Sequence, residues 1–315
     1  MHPSYTLKQL LSFVAVAEAS SIREAAARLH ISESTLGSSL NQLEKALQTQ
    51  LFVRKKAHGV MLTPSGHHLV SRARRLLREA ALLQQEAEGT SGALVGRVSI
   101  GCPHGLAPTV LPPILAAVRN RHPGIAVDFQ LGYRNELVPR LLGGQLDVII
   151  SPEGAHLTGV TLRRLYDAAV YVVLPHGHRL AGRATVPLLD LVSEPMVLLD
   201  VPESADHVLR LFNEVGERPL VALRSDNFEL VRSLVGRGFG YSLQVQRPLG
   251  DQTYEGLQLD VRPLASRHHD QVISICWATA VRLSPSALAV VNCAVDHFSV
   301  SESAQSIPVA HEAPG

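Results

Sequence analysis

Residues 20–47 read Ser-Ser-Ile-Arg-Glu-Ala-Ala-Ala-Arg-Leu-His-Ile-Ser-Glu-Ser-Thr-Leu-Gly-Ser-Ser-Leu-Asn-Gln-Leu-Glu-Lys-Ala-Leu, and their spacing predicts two short helices joined by a tight turn. Ser21 followed by Glu24 matches a capping box, in which each side chain satisfies a free backbone N–H at a helix start. Ala25, Ala26 and Leu29 supply the packed face of this first helix. His30 and Ile31 fall at the turn, and Ser32 is placed to cap a second helix whose Leu36, Leu40, Leu43 and Leu47 recur at helical spacing. With those leucines inward, Glu33, Ser34, Thr35, Ser38, Ser39 and Gln42 are left on the outer face. With the capping Ser32 they are candidates for contact with base edges in a DNA major groove. Any amphipathic helical hairpin shares much of this pattern, so the flanking sequence decides.

Upstream, Leu7, Leu10, Leu11, Val14 and Ala17 mark one helix packing against the pair. This apolar run is short and ends at Glu18, unlike a signal peptide. Downstream, Leu51 to Thr63 predicts two short strands around a Gly-containing turn. Arg54, Lys55, Lys56 and His58 in such a wing suit phosphate contacts, which position a protein on DNA without reading sequence. A solvated charged hairpin is the plainer alternative. Thr63-Pro64 then opens another helix, with Thr63 as N-cap and Pro64 where a missing N–H costs nothing. Neither Pro nor Gly interrupts 67–88, and Leu69, Ala73, Leu76, Ala80, Leu83 and Ala87 keep a heptad seam. A helix over 64–88 is roughly 37 Å long at 1.5 Å per residue. Its narrow stripe calls for a partner helix, most simply from a second copy, or for the chain's own domain. Gly89-Thr-Ser-Gly92 reads as a linker.

From Leu94 the pattern changes to strands alternating with helices. Strands are expected at 95–102, 125–131 and 147–151, with helices at 103–121 and 135–142. Pro112 and Pro113 imply a kink or a delayed start in the first of these helices. A second set follows, with strands at 169–174, 196–199, 220–224 and 240–245 and helices at 204–215 and 228–237. Late strands at 261–264 and 272–277 and a helix at 285–298 close the chain. This alternation predicts a parallel-rich α/β arrangement in two lobes. The polar segment 299–315 lacks periodicity and is expected to be disordered. The expected division is 1–63 as the head, 64–92 as dimerisation helix and hinge, 93–300 as a two-lobed domain, and 301–315 as a tail. One lobe would take 93–168 and 270–300, the other 169–269.

At 315 residues, 46% hydrophobic and 18% charged, the composition is that of an ordinary soluble protein of two or three domains. Cys102, Cys276 and Cys293 are odd in number and far apart, which argues against a disulfide framework and for a reducing cytoplasm. No stretch is long enough to span a membrane. The net charge of +1 hides an asymmetry: residues 1–90 hold 11 Lys or Arg against 7 Asp or Glu, and the remainder holds 18 against 21. The basic share coincides with the expected DNA reader, a weak signal in its favour.

The order of winged helix-turn-helix, long helix and two α/β lobes resembles the LysR-type transcriptional regulators over residues 5–298. The residues that carry the likeness are Ala25-Ala26-x-x-Leu29, Ile31-Ser32, Leu36, Leu43-Glu44, Leu51-Phe52-x-Arg54 and Leu62-Thr63-Pro64-Ser-Gly66 in the head. In the lobes they are Leu111-Pro112 and Gly238-x-Gly240-Tyr241-Ser242. Glu33 and Gly37 depart from the family, which usually has Gln and Ser there; a carboxylate can accept from cytosine N4 but cannot donate to adenine. The resemblance implies an all-α winged head, a long linker helix and a periplasmic-binding-protein-like effector domain. It also implies a homotetramer, dimerised through the linker helix, that binds double-stranded operator DNA and senses a small molecule between the lobes.

In open α/β sheets, ligands bind beyond the carboxyl ends of strands and near helix N-termini. This singles out Cys102, Pro103 and His104 after the first strand of the lobes, Ser151 after the third, and Asp200, Ser204, Asn227 and Ser242 in the second lobe. Each has a plainer reading as a cap or a satisfied core group. His-Glu-x-x-His, Walker and Gly-x-Ser-x-Gly motifs are absent from the sequence. His67-His68, His176-x-His178 and His268-His269 lack the spacing of a metal set. Neither enzymatic activity nor a cofactor is expected. Besides a ligand-responsive regulator, the residues allow a solute-binding or enzymatic α/β protein with a helical N-terminal appendage.

Overall fold

The computed structural model describes residues 3–19, 21–55, 59–88, 94–153, 158–246, 248, 250–265 and 271–305. Its head comprises α1 (Leu7–Glu18), α2 (Ile22–Arg28), α3 (Glu33–Leu47) and an antiparallel hairpin of β1 (Phe52–Lys55) and β2 (Gly59–Leu62). Thr6 and Gln9 form a capping box at the start of α1. Ser21 accepts from the Glu24 N–H, and Ser32 accepts from the Thr35 N–H at 3.1 Å. His30, at φ 53°, makes the left-handed step between α2 and α3. Phe13, Ala25, Leu36, Leu43 and Leu51 form the centre of the head's apolar core. Glu44 ties the second helix to the hairpin: its Oε1 accepts from the N–H groups of Leu51 at 2.7 Å and Phe52 at 3.1 Å.

The long helix α4 (Pro64–Glu88) starts on Thr63, whose hydroxyl accepts from the Gly66 N–H and donates to the Gln50 carbonyl. Its seam is divided. Ala73 and Leu69 pack into the head beside Val70, whereas Leu76 is 46% and Leu83 70% exposed. The first turns of the stripe are therefore taken up by the chain's own core, and only the later part faces outward.

The remaining chain builds two lobes. The first holds β3 (Gly96–Pro103), α5 (Ala107–Arg121), β4 (Ile125–Gly132), α6 (Arg134–Leu142), β5 (Val148–Pro152) and β6 (Val160–Ala168). The second holds β7 (Tyr171–Pro175), β8 (Pro195–Leu199), α7 (Pro202–Glu214), β9 (Leu220–Ser225), α8 (Phe228–Gly236), β10 (Ser242–Gln244) and β11 (Leu259–Pro263). The chain then returns to the first lobe for β12 (Gln271–Ala278) and α9 (Pro285–Gln305). The five-stranded sheet has the order β4-β3-β5-β12-β6, and α5 and α9 pack their apolar faces onto it. In the second lobe β10-β7-β11 is antiparallel and β8-β9 parallel, joined through a bridge between Met196 and Tyr241.

Three expectations need correction. The sheets are mixed rather than parallel-rich: β12 returns from the second lobe and inserts antiparallel between β5 and β6, and β7 pairs antiparallel with β10 and β11, while β3–β4, β3–β5 and β8–β9 keep the parallel pairing of helix-connected units. Strand β6 was not anticipated: Arg163-Arg164 interrupts its apolar alternation on an outward-facing stretch. The last helix continues to Gln305, so 301–305 is helical rather than an irregular tail. Both interior prolines of α5 are accommodated within one helix that begins at Ala107.

Candidate functional site: the outer face of the second head helix and the cleft between the lobes

On α3 the three leucines Leu36, Leu40 and Leu43 are buried. Glu33, Ser34, Thr35, Ser38 and Gln42 are exposed, as is Ser32, and Asn41 and Lys45 join them along a shallow open groove. Ser39 departs from this set. It is half-buried, and its hydroxyl donates to Ser12 of α1 at 3.0 Å, so it secures the helix against the head instead of facing outward. Glu33 accepts from Arg23 Nε at 3.3 Å and Gln42 from Gln9 Nε2 at 3.1 Å, so both are steered by neighbouring helices. Ser32 shares its hydroxyl with Ser34 and Thr35 at 2.9 and 2.7 Å. Arg54 and Lys55 lie on β1, and Lys56 and His58 lie outside the described residues.

The cleft between the lobes is a void of about 80 Å³ with mostly apolar walls. The first lobe contributes Pro103, Leu106, Arg134 and the end of β5, and the second contributes Val201, Glu203, Ser204, His207, Phe228 and Gln244. Of the eight candidates, Pro103, Ser151 and Ser204 line it. Cys102 points into the first lobe's core, where burial pushes its thiol up to about 12. His104 is exposed beside the Tyr133 ring, with centroids 5.6 Å apart. Asp200 is exposed and 3.5 Å from Arg224. Asn227 caps α8 by accepting from the Leu230 N–H at 2.9 Å. Ser242 is wholly buried. These five do not line the void.

Other residues carry its polarity. The Arg134 backbone N–H donates to Glu203 Oε1 at 2.9 Å, a direct bond from one lobe to the other, and Arg134 Nη2 donates to the Pro152 carbonyl at 2.9 Å. Gln246 Nε2 donates to Thr109 Oγ1 at 3.0 Å, a second crossing. Among the described residues, neither amide atom of Gln244 nor Arg134 Nε has a hydrogen-bond partner, although all three are buried.

A profile described as "Bacterial regulatory helix-turn-helix protein, lysR family" matches residues 7–67, and one described as "LysR substrate binding domain" matches residues 91–299. The chain belongs to the LysR family of transcriptional regulators. Its LysR relatives include "HTH-type transcriptional regulator TtuA" of Agrobacterium vitis, 30% identical over 88% of this chain and 92% of that protein. They include "Probable hydrogen peroxide-inducible genes activator" of Mycobacterium avium, 33% identical over 76% of this chain and 77% of that one. Among solved structures, the LysR regulator HinK of Pseudomonas aeruginosa is 33% identical, with a TM-score of 0.63, over 94% of this chain and 99% of its own. The protein is thus a ligand-responsive LysR-type transcriptional regulator with a DNA-binding head and an effector-binding domain. Among the described residues no helix is long and apolar enough to cross a membrane.

Sequence reading missed Arg134, Glu203, His207 and Gln244 in the LysR effector domain. Gln244 is the most telling, since it sits on a strand amid apolar residues, where a polar side chain needs a partner. No local signal marks it: Tyr241-Ser-Leu-Gln-Val245 alternates apolar and polar residues, the pattern of a strand with one solvated face.

Proposed function

We propose that α3 enters the major groove with Ser34, Thr35, Ser38 and Gln42 toward base edges, while Arg54, Lys55 and Lys56 of the wing hold phosphates. Asn41 and Lys45 extend the same face. Two copies pair through the outward half of α4, higher assembly to a tetramer brings four heads together, and a small molecule in the interlobe cleft sets their spacing. The protein acts in the cytoplasm as a regulator and not as a catalyst. Its working units are the head up to Thr63, the linker helix, and the two lobes beyond it.

The observation that carries this reading is the outer face of α3: a row of short polar side chains left exposed while the opposite face is anchored by Leu36, Leu40 and Leu43. Fluorescence anisotropy against fragments from the gene's own upstream region tests it. Tight, fragment-selective binding that weakens steeply with salt is expected, because phosphate contacts release counterions. Arg54→Ala should weaken all fragments alike, whereas Ser34→Ala should change their ranking. Fragment-independent binding by the unaltered protein, with or without an extract of its host's small molecules, would overturn the assignment.

The peroxide response in the Mycobacterium avium relative's name is not proposed for this chain. A peroxide-reactive cysteine needs an accessible thiolate, and all three cysteines are buried. Burial pushes the Cys102 and Cys276 thiols up to about 12 and raises that of Cys293.

A further inference from the structure

The chemistry left unsatisfied in the cleft narrows what it binds, an argument that rests on the interlobe site proposed above. Size comes first. A void of about 80 Å³, at about 10–15 Å³ for each water-sized guest, offers roughly six positions. In this state it admits a ligand of about six heavy atoms, or somewhat more as the lobes ease apart. Leu106, Val170, Val201 and Phe228 furnish apolar wall, so part of that ligand is hydrocarbon.

The polar groups specify the rest. Gln244 is 2% exposed, yet its Nε2 and Oε1 are both buried without a partner, as is Arg134 Nε. Of the other polar side chains around the void, Ser151 donates to the Pro152 carbonyl, the His207 ring meets Arg210 at 3.0 Å, and Gln246 donates to Thr109, while Ser204 and Gln271 add small polar edges to the lining. Three N–H donors, two on Gln244 Nε2 and one on Arg134 Nε, and the Gln244 Oε1 acceptor therefore await a guest. Charge adds a further constraint. Arg134 brings one positive charge from the first lobe and Glu203 one negative charge from the second, so the lining balances. A plain carboxylate would pair with Arg134 while facing Glu203. An amine would do the reverse and leave the N–H donors unmet. A zwitterion answers both charges and all three unpaired atoms.

We infer that the effector is a small aliphatic α-amino acid, in the size range from alanine to valine. Its carboxylate accepts from Arg134 Nε and Gln244 Nε2. Its ammonium group donates to Gln244 Oε1 and Glu203, and its side chain lies on the apolar wall. Binding is non-covalent and joins the lobes at Arg134 and Glu203, which already meet through the Arg134 N–H.

Calorimetric titration of the full-length protein with alanine, valine, isobutyrate and isobutylamine tests the class. Valine or alanine is expected to bind at least tenfold more tightly than the acid lacking the amine or the amine lacking the acid. Glu203→Gln should remove the discrimination against isobutyrate. Gln244→Leu, which deletes two stranded polar atoms, should keep or raise the unliganded melting temperature while losing tenfold or more in amino-acid affinity. Equal binding of isobutyrate and valine by the unaltered protein, or no binding of either amino acid at millimolar concentration, overturns the assignment. The interlobe reading fails separately: filling the cleft by Ser204→Trp in a folded protein would then leave the response of the target promoter unchanged.

Discussion

At the scale of single residues, two glycines show how a motif can be visible before its reason is. A Cβ on Gly66 would lie 2.3 Å from the Leu51 carbonyl oxygen, and one on Gly240 2.1 Å from the Pro195 carbonyl oxygen, at φ 142°. Both positions bring backbone against backbone from another element, so their sequence context stood out while the partner strand could not be read. Gly37 is the opposite case. A Cβ there meets nothing within 4 Å, and Gly37→Ala should stabilise α3 by up to about 1 kcal/mol, seen as a higher denaturation midpoint of the head. The cysteines make a prediction of pH dependence. Cys102 and Cys276 have an ordinary thiol value of 9.0 and are raised to about 12 by burial. Between those values the unfolded chain has given up protons that the folded protein still holds, so stability falls as pH rises through the window and is unaffected by these groups below it. The slope is at most about 1.4 kcal/mol per pH unit for each thiol. Urea denaturation at stepped alkaline pH should show it, and Cys102→Ala should flatten it; an equal slope in that variant would contradict the assignment.

At the scale of elements, α6 connects the two ends of the machine. Its first residue, Arg134, meets Glu203 at the cleft, and the Gly143 carbonyl just beyond its last turn accepts from Arg74 Nη1 of α4 at 3.4 Å. Arg74 is nearly buried and also donates to Glu18 of α1 at 2.9 Å, so a single side chain touches head, linker helix and first lobe. Arg78, one turn on, pairs with Asp147, which in turn accepts from the Ser99 N–H. Arg74→Ala should cost about 1–3 kcal/mol, with the upper part of that range reduced by the partial exposure of Glu18. A double-mutant cycle with Glu18→Ala, read by denaturation, separates the pair from the Gly143 contact. On the far half of α4, Leu76→Glu with Leu83→Glu should convert dimers to monomers in sedimentation without lowering the melting point of the head, whose core uses Val70 and Ala73. The helices were legible because their caps are local: Ser32, Thr63 and Asn227 each bond an N–H three residues on. Strand β6 was not, since its place is fixed by pairing with β12 more than a hundred residues later.

At the scale of the whole molecule, the order of parts was readable and the interior of the cleft was not. Position after a strand led to Pro103 and Ser151, which line the cleft, but Cys102 shows the limit of that rule: neighbouring strand residues point to opposite faces, and its face is the core. Arg134 shares the cleft with Glu203 and Gln244 because the chain crosses from the first lobe to the second between them, a juxtaposition that no local spacing encodes. The narrowness of the cleft, bridged by Arg134 to Glu203, has a consequence in time. A guest larger than the void of about 80 Å³ is seated only when the lobes part, a movement of microseconds to milliseconds. In stopped-flow mixing the observed association rate should level off as ligand concentration rises, and a strictly linear rise would show open access. A sensor gated in this way averages its surroundings: a pulse of metabolite briefer than the opening interval passes unrecorded, and only a sustained level reaches the promoter.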